Sequence, residues 1–233
     1  MEHFQLEQVA DDAWAAIALP ETGAAGNAGF IRVGDASVVF DTFASTAAAD
    51  ELRVSAEVIA PVAYAINSHW HADHVNGNRT FDDVAIVATD RTRELMEERA
   101  GGLDVVFPTD VFDERLERDG AVVETLGGGH TESDAFLWFE DTVFTGDLVV
   151  VESHPWVGDG DVEHWLEILE AFEARRPRVI VPGHGPIGSV DDISPLRRYL
   201  EGLLEGTATA VEGWSYPEGH ARNVEALRAQ RRT

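Results

Sequence analysis

The sequence predicts an α+β fold, with an order of elements that two mixed β-sheets sandwiched between helices would accommodate. Three observations bear on this. The first forty residues read as short strands broken by acidic or glycine turns, and the remainder alternates strands with helices. Metal-binding residue types then recur just past strand ends, which suits ligands collected on one edge where the strand ends of two sheets meet.

Phe4 to Val9, Ala13 to Leu19, Gly29 to Val33 and Ser37 to Phe40 are apolar or alternating runs that suit an antiparallel meander. Thr42 to Ala60 carries a helical pattern, and Val62 to Ile66 is the next strand. Val84 to Ala88 follows as a strand and leads into a helix from about Asp90 to Glu98. In the second half, strands fall near Val122 to Leu126, Ala135 to Phe139, Val143 to Phe144 and Val179 to Val181. A helix over Val162 to Ala174 takes Asp161 as its N-cap, and helices from about Ser194 to Glu205 and Glu218 to Gln230 close the chain. No linker or internal repeat divides the sequence, so residues 1–233 are expected to form a single domain.

His69-Trp70-His71-Ala72-Asp73-His74 places three imidazoles and a carboxylate in six residues directly after an apolar strand. Imidazole and carboxylate are what a borderline cation such as zinc takes when no thiolate is offered, and the chain has no cysteine. The remaining ligands must therefore be His, Asp or Glu. His130 follows Gly127-Gly128-Gly129, Asp147 ends Thr145-Gly146-Asp147, and His184 sits in Pro182-Gly183-His184-Gly185. Alternation along an extended segment points His69 and His71 the same way, and a turn after them can swing Asp73 and His74 to a neighbouring position. His3, His164 and His220 read as ordinary, partly exposed residues.

This order of His, His, Asp-His, His, Asp and His resembles the metallo-β-lactamase superfamily, and the likeness covers roughly residues 1 to 200. The resemblance implies the αββα metallo-β-lactamase fold. It also implies a first metal held by His69, His71 and His130, a second held by Asp73, His74 and His184, and Asp147 between them. Two zinc ions are the expected cofactor, with iron or manganese compatible with the same donors. The implied reaction is hydrolysis of an ester, thioester, lactone or amide bond in a small molecule by a metal-bridging hydroxide, with Asp73 as the carboxylate that handles the proton of the attacking water.

Within the superfamily, many class B β-lactamases use Cys where Asp147 stands, whereas Asp there is typical of glyoxalase II-like thioesterases and of lactonases. The stretch from Gly146-Asp147-Leu148 to Asp159-Gly160-Asp161 most resembles the zinc hydrolase of the quinoprotein relay system and its relatives. Two alternatives stay open: class B β-lactamase activity, and a mononuclear iron persulfide dioxygenase that would use His69, His130 and Asp147. Trp70, Trp156 and Phe43 either line a pocket beside the metals or pack in the core, with Asn76 and Asn78 as candidate polar contacts. His154 is either a substrate contact or a packing residue, and Asp41 either orients a ligand imidazole or is a turn carboxylate.

Forty-three acidic residues against seventeen basic ones, all Arg, give a formal net charge of -26. Phosphate backbones are bound by clustered Lys and Arg, so nucleic acid is not expected as a partner. No apolar run is long enough to cross a bilayer, and the N-terminus lacks a basic region followed by an apolar one, so the expectation is a cytoplasmic protein without a membrane partner. The oligomeric state is not readable. A densely acidic, lysine-free surface resembles those of proteins from salt-saturated cytoplasm. Its self-repulsion is relieved when the Debye length falls to about 3 Å at molar salt. The thermal midpoint is therefore expected to rise from low to molar KCl; a flat or falling midpoint would remove the idea of salt adaptation.

Overall fold

The computed structural model describes residues 1–99 and 105–231. Among the described residues there are twelve strands and six α-helices. Strands β1 (Phe4–Ala10), β2 (Ala13–Ala18), β3 (Ala28–Val33) and β4 (Ala36–Phe40) form the meander. Helix α1 (Thr46–Ile59), β5 (Val62–Ile66), the short α2 (Ala72–Val75), β6 (Ala85–Thr89), α3 (Asp90–Arg99) and β7 (Asp110–Phe112) complete the first half. The second half runs β8 (Arg115–Arg118), β9 (Ala121–Thr125), β10 (Ala135–Phe139), β11 (Thr142–Phe144), α4 (Val162–Arg175), β12 (Val179–Val181), α5 (Ile193–Glu205) and α6 (Gly219–Gln230).

The first seven strands make one sheet in chain order, antiparallel from β1 to β4 and parallel from β4 to β7. The other sheet has the order β12-β11-β10-β9-β8, with only β11 and β12 parallel. Both sheets are thus mixed, as expected. Alternation of side chains divides each strand between two cores. Val39 and Ala65 pack outward with Leu52 and Ala56 of α1, while Val38, Phe40, Tyr64 and Ile66 face the other sheet. In the second sheet, Leu137, Phe144 and Val181 turn inward, and Phe136, Val143 and Ile180 meet Trp165, Phe172 and Leu200 of the helices beyond. Three cores separate four layers, and buried strands read as nearly continuous apolar runs because both faces are covered.

Asp161 caps α4 as the sequence suggests, its carboxylate accepting from the Glu163 and His164 amides. The first helix departs from expectation: it begins at Thr46 with Ser45 as N-cap, not near Thr42. Asp41 and Phe43 have φ of 59° and 68°, which no helix accommodates, so residues 41–44 form a turn that carries Asp41 beneath the motif. Strands β7 and β8, short and at sheet edges, were not expected. Among the described residues no helix is long and apolar enough to cross a membrane.

Candidate metal centre

The seven expected ligands come from both sheets and converge at one edge of the sandwich. His69 follows β5, and the chain stays extended through His71 (φ -65°, ψ 143°) before α2 turns Asp73 and His74 in behind it. His130 lies in the turn between β9 and β10, where the buried Asp134 carboxylate accepts from the Gly129 and Thr131 amides and closes the loop. Asp147 and His184 follow the adjacent parallel strands β11 and β12. A Cβ at position 183 would collide with Asp147 Oδ1, so only glycine lets the two ligand loops approach. Backbone bonds from Ala135 N–H to Ser68 O (2.7 Å) and from Asn27 N–H to Gly183 O (2.7 Å) tie the sheets together at this edge.

Two groups of donors result, His69 with His71, His130 and Asp147, and Asp73 with His74 and His184; within each group the donor atoms lie within 4.8 Å of one another. Asp147 spans them. Its Oδ2 is 3.4 Å from His130 Nε2 and 3.4 Å from His184 Nε2, while Oδ1 is 3.2 Å from His74 Nε2. Asp73 Oδ2 stands 3.2 Å from His184 Nε2.

Hydrogen bonds behind the imidazoles fix which nitrogen faces the cluster. His130 Nδ1–H donates to the Trp156 carbonyl (3.0 Å), which leaves Nε2 as a lone pair. His71 Nε2–H donates to Asp159 (3.2 Å), leaving Nδ1. Ser68 gives its hydroxyl proton to Asp41 (2.8 Å), so His69 Nδ1–H donates to Ser68 Oγ (2.9 Å) and Nε2 is free. Asp41 also accepts from His74 Nδ1–H at 2.9 Å. Two of these lone pairs, His71 Nδ1 and His130 Nε2, are 2.9 Å apart, and His69 Nε2, His74 Nε2 and Asp147 Oδ1 are buried without a hydrogen-bond partner. Converging lone pairs and carboxylates repel one another unless a cation lies among them, so the donor set fits one. Without a cation the two carboxylates attract protons instead. Burial alone would depress His184, but Asp147 and Asp73 outweigh it and bring its pKa up to about 10. Burial, reinforced by neighbouring imidazoles, pushes His69 well below the usual histidine range.

A cavity of about 550 Å³ opens onto the cluster, with Trp70, Asp73, His154, Trp156, Tyr216 and Arg222 among its walls. That size suits a small organic ligand. Trp70 and Trp156 thus stand where a pocket contact would. His154 lines the cavity too, but both its nitrogens are used, Nδ1 donating to Ser215 O and Nε2 accepting from Val211 N–H. Asn78 departs from expectation: it is fully buried, exchanging amide hydrogen bonds with Asn67 and accepting from Thr42, so it braces the motif from behind. Phe43 is stacked on Phe4 in the core under α1. His3, His164 and His220 contact Glu51, Leu126 O and Tyr199, away from the cluster. Asp159, Ser68 and Tyr216 were not anticipated; Asp159 sits between two glycines with no periodicity to mark it.

Comparison with known proteins places these features in context. The model of the metallo-beta-lactamase superfamily matches residues 22–184. A metallo-beta-lactamase type 2 from Bacteroides fragilis is 30% identical over 162 residues, covering 64% of this chain and 64% of the relative. A beta-lactamase-like protein 2 homolog of Caenorhabditis elegans is 26% identical over 136 residues, 54% of this chain and 43% of that protein. The chain thus spans less than two thirds of either relative's length. The crystal structure of a metallo-beta-lactamase from Hirschia baltica superposes with a TM-score of 0.74 at 21% identity, covering 84% of this chain and 97% of the other. That likeness is one of fold.

Proposed function

The chain belongs to the metallo-beta-lactamase superfamily, and from that premise we propose that it is a binuclear zinc-dependent hydrolase of small molecules, cleaving an ester, thioester, lactone or amide bond. The observation that carries the reading is the position of Asp147, whose two oxygens face imidazoles of both donor groups. His69, His71 and His130 would hold the first cation, Asp73, His74 and His184 the second, and Asp147 lies within reach of both groups. When bound, such a pair of zinc ions lowers the pKa of water to about 7 and neutralises charge growing on the substrate oxygen.

The chain's own residues do the rest. Asp147 is buried with both oxygens facing imidazoles, whereas Asp73 is the more open to the cavity. Asp73 directs Oδ2 at His184, so its Oδ1 is left to take up the proton of the attacking water and hand it to the leaving group. Trp70 and Trp156 exclude water from the cavity and hold the apolar part of the substrate.

Asp73→Asn is expected to retain the first cation while turnover falls by about a hundredfold or more. Zinc stoichiometry measured beside the rate checks it, and unchanged activity would refute the role. The reading as a whole is tested by metal analysis of protein purified without added metal, with turnover of thioester, lactone and β-lactam substrates. Two zinc ions with hydrolysis of one class would support it. A single iron without hydrolysis would overturn it in favour of dioxygen chemistry.

A further inference from the structure

We propose that Asp159 and Trp156 are positioning residues that tie the first cation site to the wall of the substrate cavity, an inference that rests on the metal-centre reading above. The segment they belong to lies behind the two ligands of that site which the meander does not orient. The Trp156 carbonyl aims His130 by accepting its Nδ1–H at 3.0 Å, and Asp159 Oδ2 aims His71 by accepting its Nε2–H at 3.2 Å. The same Asp159 oxygen accepts from the Trp156 indole N–H at 2.6 Å. Its other oxygen accepts from Arg99 at 3.2 Å, and the Arg99 guanidinium lies 4.4 Å from the centre of the Trp70 ring.

One carboxylate therefore joins an imidazole that faces the cluster to an indole that faces the cavity, and reaches through Arg99 to the opposite aromatic wall. The segment has little freedom to slide. Asp161 N–H donates to Gly129 O at 3.0 Å, and a Cβ on residue 160 would collide with the Gly129 and His130 carbonyl oxygens. The Trp156 ring is 37% exposed and lines the cavity. A guest packed on it fixes the direction of its N–H, hence of Asp159, hence of His71 Nδ1. By thermodynamic reciprocity, a guest that tightens the cation is itself tightened by the cation to the same degree. Loss of an outer hydrogen-bond partner of a metal-binding histidine typically weakens the metal tenfold to a hundredfold.

Cobalt titration of the protein against a chromophoric chelator, with d–d absorption recorded, resolves the two sites. Asp159→Asn is expected to weaken one site about tenfold to a hundredfold and shift its absorption, leaving the other unchanged. Trp156→Phe keeps an aromatic side chain but removes the N–H donor, and is expected to weaken the same site by about threefold to tenfold. Metal-free melting midpoints recorded for both variants separate positioning from general damage; if Asp159→Asn melts far below the parent, Trp156→Phe decides. Two cobalt sites unaffected by either variant would overturn the inference while leaving the metal centre standing. A parent protein that takes up no cobalt would overturn both.

Discussion

Treating the zinc-loaded protein with a strong chelator is expected to lower its melting midpoint by roughly 10 °C. The cluster holds Asp73, Asp147 and five imidazoles within a few ångströms, and three of its donor atoms are buried without a hydrogen bond. Such groups lose their hydration on folding and recover it only through a bound cation or captured protons. A cation present at about a thousand times its dissociation constant adds about 4 kcal/mol to folding. In a chain of this size each kcal/mol moves the midpoint by about 2–4 °C. Differential scanning calorimetry with and without chelator measures the shift. A midpoint that moves by no more than a degree or two would mean that the donors hold no cation tightly, and the proposed centre would fall with it.

Asp41→Ala is expected to be strongly destabilising although Asp41 belongs to neither donor group. The carboxylate is buried and accepts from the Ser68 amide (2.7 Å), the Ser68 hydroxyl (2.8 Å) and His74 Nδ1–H (2.9 Å). Through Ser68 it also sets His69, so one side chain orients an imidazole of each donor group. Burial pushes its carboxyl upward, while His74 and the Ser68 donors pull the other way. Removing it strands three donors, and breaking a buried pair from one side costs about 3–5 kcal/mol. Asp41 also sits at φ 59°, where alanine is strained and asparagine is not, so Asp41→Asn should lose less stability while still misdirecting His74. Denaturant melts of the two variants in metal-free buffer measure this. An Asp41→Ala midpoint equal to the parent's would show that Asp41 is a turn residue and nothing more.

Much of this arrangement could be read from the residues alone, and the exceptions share a cause. Strands β5, β10 and β12 were placed to the residue because a strand covered on both faces leaves a dense apolar run in the sequence. His69 through His74 stood out because ligand types are too concentrated there for a surface turn. The start of α1 is not legible because Thr42 and Phe43 look helical; backbone hydrogen bonds from Thr42 to His74 and from Gly77 to Phe43 hold a turn with positive φ at Asp41 and Phe43. Strand β8, Arg-Leu-Glu-Arg, owes its conformation to an edge partner rather than to its own composition. Asn78 looked like a polar group offered to a ligand, and its pairing with Asn67 depends on tertiary contact. Asp159 meets His71 across 88 positions, a separation no local pattern records.

The seam between the sheets carries one further implication. His69, His71, Asp73 and His74 belong to the half built on β1 to β7, and His130, Asp147 and His184 to the half built on β8 to β12. Neither half owns a complete donor group, since the first group needs His130 and the second needs His184. On the proposed reading, the cations act as rivets through the joint between two incomplete shells. A sandwich whose sheets parted at this edge would lose its reagent in the same motion, so catalytic competence reports directly on whether the halves are closed.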